Sequence, residues 1–213
     1  MRDLAMLKIY DFKGFPNPTR VRIAIAEKGL LDRVTFVTVD VPAGEHKKPP
    51  FLAKNPAGAV PVLELEDGTC ISECTAITEY LDNIDGEPVL TGKNARERAL
   101  IHMMQRRAEA GLLDAVATYF HHATPGLGPH IETYQNREWG EKNRERALAS
   151  MHYLDGVLAA QPYLAGERFS MADITVFAGL AFADFAKIEI PAALANLKSW
   201  QGRIAERPSV AHA

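Results

Sequence analysis

The sequence predicts an α/β domain over residues 1–85, a linker over residues 86–92 and an all-α domain over residues 93–213. Short runs of β-branched and apolar residues, separated by turn residues, are concentrated in the first part. From Asn94 onward the chain is rich in Ala, Leu, Met, Glu and Arg, which favour helices, and two long helical runs are expected over Ala95–His122 and Ile131–Ala159. Between the two parts, Asp85–Gly92 contains glycine and proline and breaks the helical pattern.

The first elements read as a β-α-β unit. Leu7–Tyr10 is a short apolar strand, and a loop rich in glycine and proline follows it. Asn17 is a good helix cap, Pro18 suits the first helical position, and Gly29 stops the helix where a glycine is expected. Val34–Val39 is a β-branched strand, so the two strands are expected to be parallel with a right-handed crossover.

The stretch from Val60 to Ile77 predicts a strand, a tight turn, a second short strand and a helix. Val62–Leu65 alternates apolar residues with glutamate, and Asp67-Gly68 supplies a hairpin turn. Ser72 is expected to cap the helix, which places Glu73 in its first turn, where a carboxylate is favourable. Pro61 stands at the head of the first strand, where a proline removes a backbone donor.

This arrangement resembles the glutathione-binding part of the glutathione S-transferase family. The resemblance implies a thioredoxin-like first domain, an all-α helical second domain, and glutathione as the co-substrate without a metal. It further implies that a cis Val60-Pro61 pair exposes the backbone of Val60 to the cysteinyl unit of glutathione. Glu73 and Cys74 occupy the positions that hold the γ-glutamyl end, and Cys74 replaces the family's serine. The backbone N–H of Cys74 still suits a carboxylate, although a thiol is a poor hydrogen-bonding group.

A basic, proline-broken segment precedes this stretch and resembles the part of the family that meets the glycyl carboxylate of glutathione. His46 is the residue expected to take that role, with Lys47 or Lys48 as the alternative. Most of these side chains are equally expected in a solvated basic loop. The glutathione thiol is expected near the first helix, where Asn17 marks the N-terminus and Gly14 leaves room for a water.

The usual catalytic hydroxyl or thiol of the family is absent, because the loop Phe12–Thr19 contains no Tyr, Ser or Cys. The chain resembles an atypical branch in which a water, held by a helix serine and a histidine, takes the thiol proton. The histidine carries over to His121, whereas Ala117 stands at the serine position. Asp114, seven residues earlier on the same helix face, is expected to orient the ring of His121.

Two other interpretations of the histidines remain open. His121 and His122 are also typical of surface residues at a fraying helix end. A metal site formed by His121, His122 and His130 is disfavoured, because no carboxylate or cysteine stands at ligand spacing.

Net charge, apolar runs and cysteine count argue against several classes of function. A net charge of -3 gives no reason to expect nucleic acid, and the longest nearly apolar run, of ten residues, is too short to span a membrane. The first six residues lack an apolar signal core, and the two cysteines, Cys70 and Cys74, show no disulfide framework. A cytoplasmic location is therefore expected, and the resemblance implies a homodimer to which Met103 and Met104 contribute.

The sequence thus predicts an enzyme that binds glutathione, ionises its thiol and conjugates it to small hydrophobic electrophiles. An aromatic pocket between the domains is expected to hold the electrophile and to include Phe12, Phe15, Tyr119 and Phe120. The alternative is a non-catalytic or redox glutathione-dependent protein in which Cys74 is the important residue. Ser170–Asp173 resembles a capping box and is expected to be structural.

Overall fold

The structure is a computed structural model that describes residues 6–211. Its first part is a four-stranded sheet with the order β2-β1-β3-β4. The strands are β1 (Leu7–Asp11), β2 (Val34–Thr38), β3 (Val62–Glu64) and β4 (Cys70–Ser72). β1 and β2 are parallel, as predicted, whereas β3 pairs antiparallel with both β1 and β4. The helix α1 (Pro16–Glu27) makes the crossover that a parallel pair requires.

The other regular elements of the described chain are helices. They are α2 (Pro49–Leu52), α3 (Cys74–Asn83), α4 (Ala95–Ala108), α5 (Asp114–Ala123), α6 (Arg137–Leu158), α7 (Met171–Phe185), α8 (Ala195–Ala205) and α9 (Pro208–Ala211). A π-helical turn, Glu109–Leu113, joins α4 to α5, and 3-10 turns cover Leu31–Arg33 and Glu45–Lys47. The predicted order of an α/β domain followed by an all-α domain is confirmed.

The sheet is covered on both faces. On one face, Leu7 and Ile9 of β1 pack with α1 and α3 in one apolar core. On the other face, Val62 packs against Phe51 of α2. The apolar side chains of β1 and β3 are therefore buried on both sides of the sheet.

Helix α1 belongs to both cores. Its Val21 and Ile25 pack against the sheet, whereas Ile23 and Ala24 join the apolar core of the helical domain around α7. All four side chains are fully buried, so α1 is apolar on more than one face. Helix α1 is therefore held where the two domains meet.

The connection between the domains is held by a buried carboxylate of α3. The Asp82 carboxylate accepts the backbone N–H groups of Val89, Leu90 and Thr91 at 2.8–2.9 Å. Thr91 adds its hydroxyl at 2.7 Å, and Asp82 is fully buried. Residues 86–92, the predicted linker, are accordingly irregular in structure but fixed by these contacts.

The predicted starts of two helices were wrong. Helix α1 begins at Pro16, not at Pro18, because a proline at the first position costs no backbone hydrogen bond. Helix α3 begins at Cys74, and its N-cap is Glu73 with a φ of 71°, not Ser72. The positive φ places Glu73 outside the helix, so its carboxylate does not belong to the first turn.

Two other local predictions also differ from the structure. The helix expected from Ile131 begins only at Arg137, because Gly126 and Gly128 adopt positive φ and the chain before Asn136 is irregular. In the hairpin, Gly68 alone has a positive φ of 83°, and its N–H bonds the carbonyl of Leu65 at 3.0 Å. The turn is therefore wider than the two-residue turn expected from Asp67-Gly68.

The capping box at the start of α7 is confirmed. Ser170 and Asp173 exchange the hydrogen bonds of this motif. The Asp173 carboxylate also accepts the N–H of Leu164 at 3.0 Å and the indole N–H of Trp200 at 3.2 Å. Burial raises the pKa of Asp173 to about 6. The predicted domains extend over residues 1–5 and 212–213, which lie outside the described part, as does most of the stretch in which a signal core was sought.

Candidate functional site

A cleft of about 180 Å³ lies where the first turns of α1 and α3 face the junction of α4 and α5. Its walls are formed by Asn17, Arg20, Asn55, Ala59, Val60, Pro61, Glu73, Cys74, Arg106, Glu109 and Asp114. A larger open depression of about 480 Å³ lies between the end of α6 and α8, and it contains no residue predicted from the sequence to be functional. The smaller cleft is the better candidate site, because its residues come from both domains.

Five of the eight predicted site residues line this cleft: Asn17, Val60, Pro61, Glu73 and Cys74. The bond between Val60 and Pro61 is cis. Gly14, His46 and His121 lie outside the lining. Gly14 has a φ of 88°, and a Cβ placed there would meet no atom of the described residues within 4 Å.

The α3 side of the cleft combines a free carboxylate with a helix start. Glu73 is exposed and makes no side-chain cap on the helix. The first-turn N–H groups of α3 follow it directly, and such groups favour an anion. The site can therefore take a ligand that carries an ammonium and a carboxylate close together, as an amino acid does.

Cys74 is buried beneath this helix start. Its thiol lies 3.4 Å from the carbonyl oxygen of Asn17, to which it can donate. Burial raises the pKa of the Cys74 thiol to about 11. Roughly one thiol in ten thousand is then ionised at pH 7, so Cys74 behaves as a packed neutral group.

The α1 side of the cleft offers one amide donor in its first turn. Pro16 and Pro18 have no N–H, and the N–H of Thr19 is bonded to the carbonyl of Phe15 at 2.9 Å. The N–H of Asn17 is thus the first-turn amide of α1 that remains for a ligand. Its side-chain oxygen accepts from Arg20 at 3.0 Å.

An ion pair that crosses the domain boundary forms the floor of the cleft. The guanidinium of Arg20 donates to Oε1 of Glu109 at 2.6 Å, and Arg20 is 5% exposed. The same oxygen accepts from Gln105 at 3.0 Å and from the hydroxyl of Thr75 at 3.2 Å. Gln105 also accepts from Thr175 of α7 at 2.7 Å. The network ties α1 and α3 to α4 and α7.

Sequence reasoning missed Arg20 and Glu109. Arg20 adjoins Val21 and lies one turn before Ala24, on the buried side of α1. A charged residue within an apolar stripe is the signal that identifies it, because burial of a charge requires a partner. Nothing in the local sequence of Glu109 indicates that it is this partner.

Asp114 and Arg106 stand at the mouth of the cleft, 3.9 Å apart and both well exposed. Partial desolvation at the cleft mouth, and then the charge of Glu109, raise the pKa of Asp114. The expectation that Asp114 orients His121 was wrong, because Nδ1 of His121 lies 2.7 Å from Oε1 of Glu132. Thr118 donates to the carbonyl of Asp114 at 2.8 Å.

His46 lies in the 3-10 turn after β2 and is 6% exposed. Its Nδ1 is buried without a hydrogen-bond partner among the described residues. Burial lowers the pKa of His46, and the neighbouring Lys47 cation lowers it further. Lys47 donates to the carbonyl of Gly58 at 2.8 Å and is therefore engaged, whereas Lys48 is exposed.

Residues 124–136, which connect α5 to α6, reach across to the first domain. Cδ1 of Ile131 lies 3.9 Å from the position of a Cβ on Gly44, two residues before His46. This connection also holds the end of α5, since Gln135 donates to the carbonyls of His121 and Thr124 at 2.7 Å. The C-terminal end of α5 is thereby fixed beside the segment that contains His46.

Within residues 6–211, no three His, Cys, Asp or Glu side chains stand close enough together to hold a metal ion. No helix in the same range has the length and apolar character needed to cross a bilayer.

The fold and the cleft define a two-domain protein with a thioredoxin-like α/β domain, an all-helical domain and a polar cleft between them. Two domain families match the chain, namely "Glutathione S-transferase, N-terminal domain" over residues 16–84 and "Glutathione S-transferase, C-terminal domain" over residues 112–208.

Known proteins are similar over nearly the whole chain. Glutathione S-transferase 2 of Saccharomyces cerevisiae is 59% identical over 202 residues, which are 95% of this chain and 87% of that protein. The crystal structure of Gtt2 from Saccharomyces cerevisiae superposes with a TM-score of 0.95 at 59% identity, covering 96% of this chain and 98% of the other. A glutathione S-transferase domain-containing protein of Marinobacter aquaeolei VT8 gives a TM-score of 0.94 at 59% identity and covers 95% and 99%.

The chain therefore belongs to the glutathione S-transferase family. The predicted fold, the family and the assignment as a glutathione S-transferase enzyme are confirmed.

Proposed function

We propose that this transferase ionises glutathione in the cleft between α1, α3 and α5 and attaches the thiolate to small hydrophobic electrophiles. The observation that carries the proposal is the meeting of Asn17, Val60, Pro61, Glu73 and Cys74 in one cleft. These residues come from three separate stretches of sequence, and each was expected to contact glutathione. Removal of electrophiles from the cytoplasm is the role that we propose for this chemistry.

In the proposed complex, the cysteinyl unit runs along Val60-Pro61 and the γ-glutamyl end lies at α3. Glu73 receives the ammonium, and the N–H of Cys74 donates to the carboxylate. The glycyl carboxylate is assigned to His46, as the family resemblance implies. Lys48 is the cation available for this end, since Lys47 already binds the Gly58 carbonyl.

More than one group is needed to lower the pKa of the glutathione thiol. A free thiol has a pKa of about 8.5, and lowering it by two units requires about 2.7 kcal/mol. A helix N-terminus supplies about 0.3–2 kcal/mol, and α1 presents there the single N–H of Asn17. The remainder is assigned to a water that passes the proton to His121, whose Nε2 has no partner among the described residues.

The placement is tested with Glu73→Ala. Isothermal titration calorimetry should show glutathione affinity reduced about tenfold or more, because the ammonium loses a charged partner. Turnover of 1-chloro-2,4-dinitrobenzene at subsaturating glutathione should fall in parallel. Glu66→Ala is the matched control, since Glu66 is exposed in the hairpin turn outside the cleft. Equal affinities of the two variants would remove Glu73 from the site.

A homodimer is part of the proposal. Helix α4 exposes Leu100 and Met103, each 40% exposed, beside Arg106 and Arg107. Met104, which was also expected to contribute, is buried in the core of the helical domain and cannot do so. Apolar residues with arginine are typical of an interface core. Sedimentation at micromolar concentration should show a species of twice 23.4 kDa, and a purely monomeric sample would refute the dimer.

The redox alternative requires Cys74 to act as a thiolate. The buried thiol, with its pKa raised to about 11, lacks both the exposure and the ionisation that a reactive cysteine needs. No observation favours this alternative over conjugation.

A further inference from the structure

A nearly buried carboxylate holds the imidazole of His121. The side chain of Glu132 is 9% exposed, and its Oε1 lies 2.7 Å from Nδ1 of His121. The same oxygen accepts the backbone N–H of Leu127 at 2.8 Å. Glu132 is therefore fixed by its own connection, residues 124–136, and does not depend on His121 for its position.

We infer that Glu132 is a positioning residue that sets the tautomer of His121 for accepting the thiol proton. An ionised carboxylate only accepts hydrogen bonds, so the proton of a neutral His121 must reside on Nδ1. Nε2 then carries the lone pair, and it is the nitrogen able to take a proton. The inference rests on the proposed role of His121 and adds the residue that makes this role possible.

The surroundings of the pair support this assignment. Phe120 packs edge-on against His121, with ring centroids 5.1 Å apart, and so limits rotation of the imidazole. Ile131, the neighbour of Glu132 in sequence, has its Cδ1 3.9 Å from the position that a Cβ on Gly44 of the first domain would occupy. The connection that holds Glu132 therefore borders the segment that contains His46.

The proton of the glutathione thiol can be followed through the groups named above. The thiol of glutathione gives its proton through a water to Nε2, which leaves a thiolate and an imidazolium. The imidazolium keeps its Nδ1–H on the Glu132 carboxylate, which remains ionised. With 1-chloro-2,4-dinitrobenzene, the new C–S bond forms, the C–Cl bond breaks with its electron pair on chloride, and the imidazolium returns the proton to solvent.

The test compares Glu132→Ala, Glu132→Gln, His121→Ala and the double variant Glu132→Ala/His121→Ala. The control is Glu138→Gln, an exposed glutamate at the start of α6. Long-range ¹H–¹⁵N correlation spectra report the tautomer of His121, which the spectrum of His121→Ala identifies by its missing signals. The ultraviolet absorbance of bound glutathione reports the pH at which its thiol ionises.

In the parent and in Glu132→Gln, whose amide oxygen still accepts a hydrogen bond, His121 should be protonated on Nδ1. In Glu132→Ala the Nε2-protonated tautomer should appear, kcat should fall about tenfold or more, and KM for glutathione should change little. The bound thiol should ionise about half a pH unit higher or more. The double variant should be no slower than His121→Ala, because the two residues act through one proton acceptor.

The outcomes distinguish the proposed role of His121 from the inferred role of Glu132. If His121→Ala raises the thiol titration but Glu132→Ala changes neither it nor the tautomer, the inference about Glu132 is overturned and the role of His121 stands. If His121→Ala leaves titration and turnover unchanged, both are overturned. Loss of turnover in Glu132→Ala with the Nδ1 tautomer retained assigns Glu132 to loop structure alone and also overturns the inference.

Discussion

The buried ion pair below the cleft allows a quantitative prediction for Glu109→Gln. Oε1 of Glu109 accepts three donors, from Arg20 at 2.6 Å, Gln105 at 3.0 Å and Thr75 at 3.2 Å. Glutamine keeps an acceptor oxygen of the same reach but removes the charge. The guanidinium of Arg20, with its side chain 6% exposed, then loses the carboxylate that compensates its burial.

The expected loss of stability lies between two limits. Hydrogen bonds to charged groups contribute about 1.5–3 kcal/mol each, and breaking one partner of a buried ion pair costs about 3–5 kcal/mol. The Glu109 side chain is 21% exposed, and glutamine still accepts one bond, so the lower part of this range applies. We expect the free energy of unfolding to fall by about 2–3 kcal/mol.

The assay is equilibrium unfolding in urea at fixed protein concentration, followed by circular dichroism. Glu167→Gln, an exposed glutamate, is the control and should change stability by less than about 0.5 kcal/mol. The double variant Arg20→Met/Glu109→Gln also removes the buried guanidinium that has lost its partner. Its free energy of unfolding should exceed that of Glu109→Gln by at least about 1 kcal/mol. A loss below about 1 kcal/mol in Glu109→Gln, or no recovery in the double variant, would show that the pair is not a significant interdomain contact.

Local chemistry allowed much of the fold to be predicted. The strand at Leu7, the hairpin around Gly68 and the capping box at Ser170 each depend on neighbours within a few residues, and each is present. The helix starts were less predictable. Both Pro16 and Pro18 suit a first turn, and the sequence gives no way to choose between them.

The candidate site could also be predicted only in part. Residues that act through the backbone or stand at a helix start, such as Pro61 and Glu73, follow from local pattern and line the cleft. Ion pairs that connect distant parts of the chain do not follow from local pattern. Arg20 and Glu109 are 89 residues apart, and no periodicity connects them.

His121 shows how helix geometry alone misleads. Asp114 lies two turns earlier on the same face, and helical spacing therefore selects it as the partner. The partner is Glu132, which lies beyond the end of the helix in a connection that folds back over α5. An irregular connection has no period, so its contacts become visible only in three dimensions.

The remaining predictions concern buried carboxylates and the first turn of α1. In the parent, stability should decline by up to about 3 kcal/mol as the pH rises from about 4 to 6, because the folded-state pKa of Asp173, about 6, exceeds its unfolded value of 3.8. Asp173→Asn should lack this component in urea titrations, and an identical pH dependence would contradict the reasoning. Asp82→Asn should lower the free energy of unfolding by about 2–4 kcal/mol, since an amide cannot accept on both sides of its head group; calorimetric melting at constant pH checks this. Pro18→Ala adds a second amide donor beside that of Asn17, and a helix N-terminus favours an anion by about 0.3–1 kcal/mol. The thiol of bound glutathione should therefore ionise about 0.2–0.7 pH units lower, as read from its ultraviolet absorbance. An unchanged or higher titration would mean that the thiolate does not lie at the start of α1.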